Sequence, residues 1–160
     1  MNARPWRVIS LAVGIAALTA LAVRADVGSG SAKEPLFEDP TGTNFTCPSG
    51  ATSTIGPFGF VILNTHGPKY VTGEDSVVSA EVAVKGGIPN ATYQIFLNQD
   101  PNGCPTAPTG TLTTNVQGNG NGHVEQQRVP GATHFWVSAF DVTDFPAPKS
   151  LLRSPAAALD

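Results

Sequence analysis

The stretch that decides the fold is IPNATYQIF, Ile88–Phe96, because the chain repeats it almost unchanged as VPGATHFWV at Val129–Val137. Both copies contain a proline, a turn-forming residue, alanine and threonine in that order, and then tyrosine or histidine. Proline has no N–H and ends a strand ladder, and the asparagine or glycine after it tolerates a sharp bend. Each copy therefore predicts a structural corner between two strands. The corner residues are Pro89, Tyr93, Pro130 and His134.

The remaining sequence predicts an all-β protein. Helical periodicity is absent after the N-terminal segment, and runs rich in β-branched residues recur about every ten residues between glycine, proline and asparagine. One sheet cannot bury so many apolar strands, so we expect an antiparallel β-sandwich of about seven or eight strands. The predicted strands are Ala51–Ile55, Phe58–Thr65, Ser76–Val84, Thr92–Asn98, Gly110–Asn115, Gly122–Val129, Thr133–Phe140 and Arg153–Leu159.

Two motifs resemble known β-sandwich domains. GGIPNATYQI (Gly86–Ile95) resembles the Leu-x-Pro-x-Thr-x-Tyr signature of fibronectin type III and other immunoglobulin-like domains. The resemblance implies an immunoglobulin-like sandwich in which the Tyr93 hydroxyl bonds to upstream backbone, with His134 able to donate a bond similarly. GTLTTNVQGNGNGHVEQ (Gly110–Gln126) resembles a hairpin of small exported β-modules, with Asn115 where aspartate is common.

A longer segment, about Gly59 to Val137, resembles a group of uncharacterised secreted bacterial single-domain proteins. That resemblance implies a scaffold and no particular activity. The connectivity differs from a type III domain, which has one strand after its tyrosine corner, whereas this sequence has room for about four.

The first 25 residues indicate a secretory signal peptide. Arg4 and Arg7 precede the apolar run Val8–Val23, and small residues favour cleavage after Ala25. A retained membrane anchor is the alternative, but the run is shorter than the ~20 residues that span a bilayer. We expect residues 26–43 to form a flexible leader and residues 44–160 to form the sandwich domain.

Charge argues against nucleic acid and membrane partners. The predicted signal contains three of the nine basic residues and none of the twelve acidic ones, so its removal changes the net charge from -3 to -6. An acidic protein without basic clusters is a poor ligand for nucleic acid or for an anionic membrane after signal cleavage.

The chain contains two cysteines, Cys47 and Cys104. Export favours a disulfide between them, worth about 4 kcal/mol by the chain-entropy estimate. A metal pair and a reactive thiol are the alternatives, but the spacing lacks the C-x-x-C pattern of zinc ligands.

No catalytic or cofactor motif stands out. His123 and Glu125 share one strand face, but structural zinc takes four ligands. The chain lacks the Gly-x-Ser-x-Gly elbow of serine hydrolases. Asp100, Asp141 and Asp144 would form a calcium site only if their loops meet. We therefore predict no enzyme activity and no cofactor.

One aromatic cluster is a candidate binding patch. Along Thr133–Phe140 the side chains alternate, so that Phe135 opposes Trp136 and Phe140. Rings left uncovered would mark an interface, although Trp136 is better explained as a core residue.

The sequence therefore predicts a secreted, non-catalytic β-sandwich that binds a protein or glycan at the cell exterior or has a structural role there. The alternatives are a small secreted hydrolase and a carbohydrate-binding accessory module. A hydrolase would need a histidine near a serine and an acid in one cleft. A carbohydrate-binding module would need coplanar exposed aromatic rings.

Overall fold

A computed structural model describes residues 30–39, 53–67, 76–104, 106–143 and 150–159, which form ten strands and no helix. Accordingly, these ranges contain no helix suited to cross a membrane. The strands are β1 (Ser31–Pro35), β2 (Phe37–Glu38), β3 (Gly59–His66), β4 (Val77–Val84), β5 (Thr92–Asp100), β6 (Gly110–Thr113), β7 (Gly120–Gln127), β8 (His134–Asp141), β9 (Leu151–Arg153) and β10 (Ala157–Ala158).

The strands form two antiparallel sheets. The four-stranded sheet has the order β1-β3-β4-β7, and the six-stranded sheet has the order β2-β9-β8-β5-β6, with β10 also paired to β8. All eight strand pairings are antiparallel. The all-β prediction with two antiparallel sheets is therefore confirmed.

A shared apolar core lies between the sheets. Alternate residues of β4 face it because side chains along a strand point to opposite faces. The β3–β4 register aligns these residues with the buried positions of β3, and β5 and β8 supply the opposing layer. Each fully buried aliphatic side chain contributes about 1.5–3 kcal/mol. The principal members are Val61, Leu63, Val78, Val82, Val84, Tyr93, Ile95, Leu97, Phe135, Val137 and Leu152.

The N-terminal part of the described chain corrects the predicted flexible leader. β1 pairs with β3, and β2 pairs with β9 in the other sheet. Leu36, between the two strands, is fully buried, and the Lys33 ammonium lies 4.0 Å from the centre of the Phe60 ring. Edge strands need little apolar alternation, which is why the sequence pattern did not reveal them. The remaining leader residues and the signal peptide lie outside the described residues.

The strand count also differs from the prediction of seven or eight. The predicted closing strand Arg153–Leu159 is divided into β9 and β10, which pair with different parts of β8. Pro155 lies between them, and proline cannot donate to the ladder. Only Ile55 of the predicted strand Ala51–Ile55 makes a described β-bridge, to Glu38.

Both copies of the repeated phrase carry the chain from the four-stranded to the six-stranded sheet. The first joins β4 to β5, and the second joins β7 to β8. Asn90 and Gly131, the residues after each proline, have φ angles of 53° and 79°. The following residues, Ala91 and Ala132, are fully buried, so a larger side chain would not fit either corner.

The two copies differ in the direction of their rings. Tyr93 points into the core, whereas His134 is exposed and its Nδ1 lies 3.0 Å from the Thr133 hydroxyl. The core position of the second copy is taken by Phe135, one residue later. In the second corner, the first ring that points inward therefore comes one residue later than in the first. His134 does not make the contacts that Tyr93 makes, so the predicted equivalence of the two residues is wrong.

The resemblance of the glycine-rich β6–β7 region to a known hairpin implied that β6 and β7 pair with each other in one sheet. The structure instead places the two strands in different sheets. β6 pairs with β5 in one sheet, and β7 pairs with β4 in the other. The Asn115 side-chain oxygen accepts hydrogen bonds from the backbone N–H groups of Gln117 (2.9 Å) and Asn119 (3.0 Å). This asparagine turn redirects the chain between sheets.

The candidate binding patch is not exposed. Phe135 and Trp136 are fully buried and Phe140 is partly buried, although Phe135 and Trp136 lie on opposite faces of β8. Asn98 and Ser138, on the Trp136 face, are also buried. That face is therefore covered, and the predicted patch is unavailable as a surface.

The predicted disulfide stays a prediction. Cys104 is not a free cysteine, and Cys47 lies outside the described residues.

Candidate functional site

One end of the sandwich contains the first corner, and we call it the corner end. It comprises the β4–β5 loop (residues 85–91), the β6–β7 connection (114–119), residues 53–58 before β3, and the region around Asp141 and Ser150. The register brings these segments together, because β3 begins where β4 ends and β5 begins where β8 ends.

Tyr93 lies at the base of the corner end. Its side chain is fully buried, and its hydroxyl accepts a 3.2 Å hydrogen bond from the N–H of Ile88, five residues upstream. The side chain of Ser150 lies close enough to this hydroxyl to lower its pKa. The tyrosine therefore connects the β4–β5 loop to the start of β9.

Burial raises the pKa of Tyr93 above its ordinary value of 10.0, because the phenolate would lose its hydration. The hydrogen bond from Ile88 and the side chain of Ser150 oppose this shift, and the negative charges of Asp141 and Glu38 add to it. Two carboxylates therefore lie close enough to impose a negative potential on this hydroxyl.

The two loops of the corner end are bonded to each other. The Thr114 hydroxyl donates to the carbonyl of Ile88 (2.6 Å) and accepts from the N–H of Ala91 (2.9 Å). Gly118 has a φ of 74°, and a Cβ there would overlap the carbonyl oxygen of Gly87. Such close backbone approach requires glycine, so these contacts hold the β4–β5 loop in one arrangement.

A pocket of about 290 Å³ opens beside this loop. Most of its described wall is apolar side chain or glycine backbone, and Glu38 is the only ionisable residue among the described lining residues. Ile88, whose N–H donates to Tyr93, belongs to the wall, and the tyrosine hydroxyl would lie 3.2 Å from a Cβ at the wall residue Gly87, so this hydroxyl lies directly behind the wall. The lining residues are Glu38, Phe58, Gly86, Gly87, Ile88, Pro89, Ser150 and Leu152.

Apolar side chains are also exposed around the corner end. Ile55 is 46% exposed, and Val116 is 65% exposed. They are the large apolar residues with high exposure in the part of the chain that the structure describes. Ile55 pairs with Glu38 in a β-bridge, and Val116 lies in the β6–β7 connection. A pocket flanked by exposed apolar groups is the arrangement expected of a binding surface.

The histidines are not brought together at this pocket. His123 Nδ1 lies 2.6 Å from a carboxylate oxygen of Glu81, and both side chains are more than half exposed on the outer face of the four-stranded sheet. Glu125, two residues along, lies on that face too. His66 lies at the opposite end of β3 from the corner end. Within the described ranges, no group of three or more metal-ligating side chains occurs.

The register separates two of the three aspartates considered for calcium. Asp141 is opposite Tyr93, whereas Asp100 is opposite His134, at the other end of the same pair of strands. Seven residues of extended strand place them roughly 23 Å apart. A shared site containing both is therefore wrong. Asp144 lies outside the described residues.

Comparisons with protein-family models, with curated proteins and with solved structures find no match for this chain.

The sequence did not reveal the pocket, because its wall comes from four separated segments of the chain. Glu38 lies in the predicted leader, and Ser150 and Leu152 precede the predicted closing strand. Only the residues near Pro89 belonged to a recognised motif. No periodic pattern follows Glu38 in the sequence, so nothing there predicted that a strand would place this residue in a pocket wall.

Proposed function

We propose that this protein is a secreted, non-catalytic β-sandwich module that binds a protein or glycan at the cell exterior through its corner end. The observation that carries the proposal is the coincidence of three features there. A preformed pocket, two exposed apolar side chains and a braced loop occupy the same end of the molecule.

The N-terminal signal pattern and the acidic charge support export. The resemblance to immunoglobulin-like domains supports that description of the architecture, with Tyr93 as its tyrosine corner and Cys47–Cys104 as its disulfide. The strand order differs from that of constant-type immunoglobulin domains, whose sheets are ABED and CFG. Here the consecutive strands β3 and β4 pair within one sheet.

The two alternatives receive less support. For a hydrolase, the His123–Glu81 pair lies on an exposed sheet face, and no histidine is among the described residues of the pocket wall. For a carbohydrate-binding module, the described residues include no aromatic side chain with high exposure. A panel of esterase, peptidase and glycosidase substrates tests the first, and a glycan array tests the second.

The direct test uses the full chain as the producing cell matures it, labelled and applied to intact cells and to a glycan array. Serine at both Ile55 and Val116 removes the exposed apolar side chains of the rim without adding charge, and we expect it to weaken binding at least about tenfold. Serine at His66 and Gln127, two exposed positions at the opposite end, is the matched control. The proposal would be contradicted if the rim variant bound as well as the wild type, or if the wild type stayed monomeric and bound nothing.

A further inference from the structure

The pocket has a chemical character that narrows its ligand. Four apolar residues, Phe58, Ile88, Pro89 and Leu152, line a cavity in which Glu38 is the only ionisable residue among the described lining residues. The volume of about 290 Å³ is near the lower limit of the ~300–1,000 Å³ typical of ligand pockets. A small ligand, or one side chain of a larger one, therefore fits.

Within the part of the chain that the structure describes, the carboxylate of Glu38 has no counterion. No basic side chain of the described residues makes an ion pair with it. Lys85, adjacent in sequence to the pocket residue Gly86, is exposed and makes no such contact. The nearby Arg153 is engaged instead by Asp39, at 3.2 Å.

A second carboxylate strengthens the negative potential behind the pocket wall. Asp141 is fully buried and lies opposite Tyr93 in the β5–β8 register. Its Oδ1 accepts hydrogen bonds from the N–H and the hydroxyl of Thr143, while its Oδ2 has no hydrogen-bond partner. Both Asp141 and Glu38 act on the Tyr93 hydroxyl, which raises the pKa of that residue further.

We propose that the corner-end pocket binds a primary ammonium group carried on a short apolar stem, with Glu38 as its counterion and the apolar wall around the stem. The inference rests on the proposed binding function and specifies its ligand. A cation is preferred because it would compensate the half-buried carboxylate, whereas an anion would add to the negative potential. Such a group occurs in free alkylamines and in lysine side chains.

The test titrates the full, matured chain at neutral pH with hexylammonium, 1-hexanol and hexanoate, which share one stem and differ in charge. Backbone amide NMR shifts at Gly86, Gly87, Ser150 and Leu152 report binding at the pocket. We expect saturable binding of hexylammonium, binding of hexanol at least about tenfold weaker, and the weakest binding for hexanoate. A parallel titration with Nα-acetyl-lysine amide distinguishes a lysine side chain from a free amine as the better ligand.

The variant Glu38→Gln keeps the shape of the wall and removes its charge. It should weaken hexylammonium binding about tenfold and change hexanol binding less than about twofold. Glu125→Gln removes the same charge from an exposed strand and should change neither. Equal binding of hexylammonium and hexanol, or an unaltered affinity in Glu38→Gln, would overturn the ammonium assignment. If the rim variant still loses binding to cells in that case, the proposed function stands without this ligand.

Discussion

Removal of the Tyr93 hydroxyl tests whether the corner stabilises the fold. In Tyr93→Phe the ring stays in the core, while the N–H of Ile88 loses the acceptor that lies 3.2 Å away. A hydrogen bond contributes about 0.5–1.5 kcal/mol net, and the greater hydrophobicity of phenylalanine offsets part of the loss. We expect the free energy of unfolding to fall by about 1 kcal/mol.

The assay is urea unfolding followed by the fluorescence of Trp136, which is fully buried in the folded protein. For a domain of this size the expected loss corresponds to a decrease in Tm of about 3–8 °C. The variant Thr111→Val removes a hydroxyl from an exposed position on the neighbouring strand β6 and should change stability by less than about 0.5 kcal/mol.

The pH dependence provides a second signature. Because the folded-state pKa of Tyr93 is raised above 10.0, the unfolded chain loses this proton first as the pH increases. The contribution of the neutral phenol is therefore complete below pH 10 and decreases as the pH rises toward the folded-state pKa. Tyr93→Phe should show a shallower loss of stability above pH 10 than the wild type. Equal unfolding free energies and equal alkaline slopes would refute the reasoning.

Two further predictions concern the backbone of the loops and a buried ion pair. Gly118→Ala should lower the free energy of unfolding in urea by more than about 2 kcal/mol, because its Cβ would overlap a carbonyl oxygen. Gly131→Ala, at a residue with similar φ but open space around it, should cost about 1 kcal/mol. Equal losses would contradict the role of the close approach. Asp39→Ala should lower the free energy of unfolding by about 2–4 kcal/mol, because it leaves the buried Arg153 guanidinium without this carboxylate. Adding Arg153→Met should recover part of that loss in the same assay. No recovery would show that the two residues are not coupled.

The sequence predicted the central strands well and the peripheral strands poorly. β4 alternates strictly enough that its prediction, Ser76–Val84, differs from the observed strand by one residue. β1 and β2 escaped prediction because pairing at sheet edges requires only backbone N–H and C=O groups, and those are independent of side-chain pattern. The repeated phrase predicted where the chain passes from one strand to the next. Strand register decides whether a ring points into the core or to the surface, and the sequence did not predict that register for His134.

The candidate site was less predictable than the fold. The aromatic residues of β8 were considered as a binding patch, with Trp136 better explained as a buried residue, and the structure buries Trp136 on the outer face of the six-stranded sheet. Glu38 drew no attention, although it is an ionisable residue of the pocket wall. A cavity depends on which distant segments meet, and a local pattern around a single residue does not contain that information.

The pairing of β2 with β9 constrains the order in which the molecule can assemble during synthesis. Phe37 lies opposite Arg153, and Glu38 lies opposite Leu152. A ribosome delivers the first member of each pair more than 110 residues before the second, so one border of the six-stranded sheet stays unclosed until β9 has emerged. Because Glu38 belongs to that border, the pocket wall is completed in the same late event. A chain truncated before β9 would therefore lack both the closed sheet and the pocket.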